Sequence, residues 1–105
     1  MSAAVLGGVA TTAAHAACTA GYFCTGPIQS ITVTDDAVYI RLVDGTAGLT
    51  NCTPYSQSYF TLPKSNVNYS SYYSMLVAAY MAKESVTLRP VDSSANCTIA
   101  YIAVP

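Results

Sequence analysis

The sequence predicts a mostly β domain with one helix, set between the third and fourth of five strands. Three observations carry this expectation. Apolar and polar residues alternate in short runs, separated by clusters of Asp, Gly, Asn and Pro. A single stretch, 65–83, lacks Gly and Pro and repeats its large apolar residues at helical spacing. Four cysteines, an even number in a chain this short, imply that disulfides supplement a small core. At 105 residues the chain makes one domain. Its 52% hydrophobic content, with 9% charged residues, excludes a disordered chain, because enough apolar surface is present to offset the entropy of ordering.

Residues 1–16 carry no Lys, Arg, Asp or Glu and end in Ala14-His15-Ala16, an A-x-A cleavage pattern. They read as the remnant of a secretory signal, without its charged n-region. A plain Ala/Gly/Thr leader is the alternative. Cleavage would start a mature domain at Ala17, spanning 17–105, in a secreted or periplasmic compartment. No run reaches the length of a membrane span.

In that compartment Cys18, Cys24, Cys52 and Cys97 form two disulfides. Three pairings exist. Cys18 and Cys24 enclose a short loop containing Gly21, which suits a local bridge and leaves Cys52 for Cys97. In the chain-entropy view a bridge of that span stabilises by about 4 kcal/mol. Zinc is the rival use of four cysteines. It lacks a C-x-x-C pair, and the only histidine, His15, lies in the leader, so no metal or other cofactor is expected.

The elements follow in order. Over 27–34, Ile31 and Val33 alternate with Ser30 and Thr32; over 37–43, Val38, Ile40 and Leu42 alternate with Tyr39 and Arg41. Asp35-Asp36 turns the first strand into the second, and Asp44-Gly45 opens a longer loop running to Asn51. The third strand, 57–62, points Phe60 and Leu62 one way and Tyr59 and Thr61 the other, and Pro63 ends it. Ser65-Asn66 then offers an N-cap. One helix face carries Tyr69, Tyr72, Tyr73, Leu76, Ala79 and Tyr80, expected against the sheet; the other carries Met75, Ala78, Met81 and Ala82. Because so small a domain cannot wrap a helix on all sides, Met75, Ala78 and Ala82 are expected to meet another copy of the chain. A helix sunk in its own core is the alternative. Val86 and Leu88 alternate with Thr87 and Arg89 in the fourth strand, which Pro90 closes or pushes to an edge. The fifth, 97–104, breaks parity and so is expected to hold a bulge.

Strand, strand, strand, helix, strand, strand is the element order of an OB-fold, a five-stranded barrel. Its third and fifth strands run parallel as neighbours, which brings Cys52 beside Cys97 and agrees with the pairing reached by elimination. An open α+β sheet crossed by one helix is the alternative.

Chemistry is sparse. A mature chain without histidine, and without G-x-S-x-G, has no nucleophile and base pair. Asp35, Asp36, Asp44, Glu84 and Asp92 all fall at turns or element ends, so no enzyme is expected. Four Lys or Arg against five Asp or Glu leave no basic groove for nucleic acid. Nine tyrosines without a tryptophan are the notable feature. Tyr39, Arg41 and Tyr59 share the outer face of the second and third strands, the face on which OB-folds take oligosaccharides, so a glycan is the expected ligand. A solvated sheet face is the plainer reading.

Thr25-Gly26-Pro27-Ile28, the Phe60-x-Leu62 strand, Tyr72-Tyr73-x-Met75-Leu76 with Ala78-Ala79, and Glu84-Ser85-Val86-Thr87-Leu88 together resemble the B subunits of subtilase and typhoid AB5 toxins and similar small secreted bacterial proteins. The resemblance spans 25–104 in pattern. It implies an OB-fold in a ring of five with the helix toward a central pore, sialylated glycans as ligands, and Thr25 as a sugar contact. The expectation is therefore a secreted binding module, oligomeric, with a glycan or partner protein as ligand. A stand-alone protein acting through protein contacts or inhibition is the alternative.

Overall fold

The computed structural model describes residues 15–19 and 21–105. Of the expected leader, residues 1–14 lie outside the described residues. The elements are β1 (Ala17–Thr19), β2 (Phe23–Val33), β3 (Ala37–Leu42), a 3-10 segment (Val43–Leu49), β4 (Thr53–Pro54), β5 (Phe60–Pro63), α1 (Tyr69–Ala82), β6 (Ser85–Pro90), β7 (Ala95–Asn96) and β8 (Ile99–Ala103). Five main strands form one antiparallel sheet in the order β5-β3-β2-β6-β8, and β1 pairs with the start of β2.

The alternation in β3 does what its pattern dictates: Val38, Ile40 and Leu42 are fully buried, with Tyr39 and Arg41 on the opposite face. Phe60 and Leu62 from β5, Val86 and Leu88 from β6, and Ile99 and Ile102 from β8 complete the apolar layer, which Leu76 and Ala79 of α1 cover. Each large side chain withdrawn from water contributes about 2 kcal/mol before entropy is counted.

The sheet does not close into a barrel by a continuous ladder. Its edge strands β5 and β8 meet through one parallel bridge, Thr61 with Thr98, where the Thr61 N–H donates to the Cys97 carbonyl at 3.1 Å. A two-residue parallel ladder, β4 with β7, lies alongside. The reason is the shortness of β5. Expected over 57–62, it starts only at Phe60, because Ser56 (φ 48°) and Gln57 (φ 73°) adopt positive φ and turn the chain back. Tyr55 and Tyr59 exchange both backbone hydrogen bonds across that turn, at 3.1 and 3.0 Å.

Two irregularities shape the rest. Opposite Arg89 and Pro90, β8 presents Tyr101 and then Ile99, so Ala100 is the extra residue of a bulge within the fifth strand, as its broken parity predicts. Of the two expectations for Pro90, the first holds: it closes β6 at the strand's last position, where it is buried beside the bulge. The second fails, since β6 is no edge strand but runs between β2 and β8.

The disulfides join Cys18 to Cys24 and Cys52 to Cys97, the two pairs expected from the sequence. Cys18 and Cys24 stand opposite each other in the β1–β2 hairpin, around Gly21 at φ 75°. Both bridges border the 3-10 segment: Cys24 Sγ lies 3.6 Å from the Thr46 carbonyl, and the Thr50 hydroxyl lies 3.0 Å from Cys52 Sγ. The loop after β3 is thereby pinned at one end of the sheet.

Helix α1 begins at Tyr69 behind Asn68, and ends at Lys83 in the left-handed conformation with Glu84 N–H returning to the Ala79 carbonyl. Its orientation departs from the expected one. Met75, placed outward by the pattern, is half-buried and packs against the core, while Tyr80, placed inward, is exposed. Ala78 and Ala82 do face outward, with Met81. Exposed Ser70, Ser71 and Ser74 mark the outward face over the first half of the helix, but Ala78, Met81 and Ala82 continue it as apolar residues, so the fit of Tyr69, Tyr72, Tyr73, Met75 and Leu76 to the sheet sets the rotation.

Candidate binding surface

β3 supplies two outward side chains, Tyr39 and Arg41, and the turn after β4 supplies three more, Tyr55, Ser58 and Tyr59. Antiparallel pairing of Tyr39 with Thr61 brings the turn onto the same face. There the Tyr39 and Tyr55 rings stack, with centroids 4.1 Å apart and planes 20° apart. Tyr59 closes edge-on against Tyr55, at 6.3 Å and 74°. Such offset and T-shaped pairs hold rings in fixed relation.

Arg41 is held beside them. Its Nε donates to Ser58 Oγ at 3.2 Å, and Gly45 leaves room for the guanidinium, since a Cβ there would stand 2.7 Å from Nη2. The positive φ of Gly45 (60°) adds a second reason for glycine at that point. Among the described residues Arg41 has no carboxylate within ion-pair distance. Arg89, by contrast, lies 5.1 Å from the Tyr22 ring centroid and 3.5 Å from Asp92, so its charge is already answered within the fold.

Tyr39, Arg41 and Tyr59 thus come together as the sequence places them. Thr25 does not join them: it sits in the β2–β6 ladder, its hydroxyl 2.8 Å from that of Thr87. Tyr55 and Ser58 are the members that sequence reading missed. The signal lay in Tyr55-Ser56-Gln57-Ser58-Tyr59, three polar residues between two tyrosines, which reads equally as a turn or as a strand start.

All four cysteines are oxidised in bridges, so none offers a thiolate to zinc. Among the described residues no group of three or more His, Cys, Asp or Glu converges on one point. No helix there is long and apolar enough to cross a membrane. Comparison with family models, with curated proteins and with solved structures returns no match to this chain.

Proposed function

We propose that this chain is a secreted, non-enzymatic binding module of OB type that holds a glycan on the Tyr39–Tyr55–Tyr59 platform. One observation carries the reading: three contacting tyrosines flank an arginine whose charge no carboxylate of the described chain answers. Aromatic faces receive the C–H surface of a pyranose, and the guanidinium and phenol groups bond its oxygens. A nucleic-acid strand would need several cations along such a platform, and Arg41 stands alone in it.

The element order, the sheet order β5-β3-β2-β6-β8 and the Thr61–Thr98 bridge support the OB-type reading. The toxin B-subunit resemblance supports assembly into a ring, through the outward helix face of Ala78 and Ala82 with Met75 at its margin. The test is a glycan array probed with wild type and with Tyr55→Ala, alongside sedimentation of both. Signal on a defined glycan that Tyr55→Ala abolishes, with the sedimentation coefficient unchanged, supports the proposal.

A partner protein is the second reading. Asn51 bonds by backbone to Gly21 and Ser93, joining three loops that expose Tyr22, Leu49 and Val91. A blank array, with binding lost on Leu49→Asp, would favour it.

A further inference from the structure

The start of the described chain is packed onto the domain rather than trailing from it. Ala16 is half-buried and rests on the core cluster. Gly26, in extended β2, lies directly beneath: a Cβ built there would stand 2.4 Å from Ala16 Cβ, 2.6 Å from its Cα and 3.3 Å from its nitrogen. Gly26 does not have positive φ, so its backbone would accept any residue. Ala16 alone supplies the three nearest obstacles. Just before it, His15 Nδ1 reaches Asp44 Oδ2 at 3.2 Å. That pair is solvent-exposed and adds little, so the docking rests on the alanine. Asp44 in turn precedes Gly45, the glycine against Arg41.

These two residues are the last of the A-x-A pattern, whose expected cleavage point is the bond between Ala16 and Ala17. We propose that His15 and Ala16 form a plug over Gly26 in the precursor, which cleavage after Ala16 removes. The processed domain then presents a recess floored by the Gly26 backbone, on the face that Gly26 shares with Cys24 and Ile28, and an Asp44 freed from His15. The hairpin itself survives, because Ala17 retains its partner Thr25 and the Cys18–Cys24 bridge lies beyond the cut. The inference depends on the leader reading and is independent of which ligand the tyrosine platform takes.

The experiment compares chains beginning at residue 15 and at residue 17, each with and without Gly26→Ala. In the longer chain Gly26→Ala is expected to lower the thermal midpoint by about 5 °C or more, and in the shorter chain by no more than about 2 °C. Ala16→Gly in the longer chain is expected to recover part of the loss, which separates a filled socket from a general failure to fold. Equal losses in both chains would overturn the socket. The intact mass of the exported protein decides the release: a chain starting at Ala17 supports it, and one retaining His15-Ala16 overturns it.

Discussion

Strand β3 and helix α1 hold the core from opposite sides and do so differently. β3 has three side chains fully buried on one face, and a tyrosine and an arginine half-buried on the other. α1 fully buries only Leu76, and nearly so Ala79, while Tyr69, Tyr72, Tyr73 and Met75 pack at the margin with part of each ring or chain in water. A strand inside a sheet has neighbours fixed by its hydrogen bonds, so each side chain has two options, in or out. A helix laid on a sheet has no such ladder and can rotate until its side chains fit. The strand therefore concentrates its stabilisation in a few residues and keeps one face for other uses. The helix spreads its stabilisation over a broad arc anchored at one leucine.

The sharpest way to break that contrast is to truncate the anchors. Ile40→Ala and Leu76→Ala are each expected to cost about 3 kcal/mol in denaturant unfolding, through lost burial and the cavity left behind. A cost below about 1 kcal/mol at Leu76 would mean that α1 has no single anchor. Next comes the margin. Met75→Glu is expected to destabilise by about 2 kcal/mol, since it forces a charge toward packed apolar groups, whereas Ala78→Glu is expected to stay within about 0.5 kcal/mol. If both variants keep full stability and only dissociate an oligomer, Met75 faces a second copy of the chain and the rotation of α1 described above is wrong. On the tyrosine platform over the free face of β3, stability and binding are expected to separate. Tyr55→Ala is expected to change stability by about 1 kcal/mol at most, because it removes only ring–ring contact at a part-exposed site, yet to remove ligand binding.

The same contrast explains what could be read from the sequence. Val38, Ile40 and Leu42 announce their face because polar or amphipathic residues separate them, and Tyr39 and Arg41 follow from the same parity. The cysteine pairing was legible because only one partition gives a short local loop and a long bridge between neighbouring strands. The rotation of α1 was not legible beyond its first half, because the exposed Ala78, Met81 and Ala82 are as apolar as Met75, Leu76 and Ala79, which dock. Two of the five platform residues were also hidden. Tyr55 and Ser58 reach it through a turn with positive φ at Ser56 and Gln57, neither of which is Gly or Asn, so the polar run between the tyrosines reads as a strand start as readily as a turn. Thr25, a position suggested by resemblance alone, lies in the β2–β6 ladder with its hydroxyl 2.8 Å from that of Thr87.

The central proposal is that the free face of β3 and the Tyr55–Tyr59 turn packed on it bind sugar. The direct measurement is a two-dimensional amide and side-chain NMR titration of the processed protein with the glycan giving the strongest array signal. Saturable shifts confined to Tyr39, Arg41, Tyr55, Ser58 and Tyr59, including the Arg41 Nε–H, are the predicted result. Shifts centred on Thr25 and Thr87, or on Ala78 and Ala82, with the tyrosine platform unmoved, would contradict it.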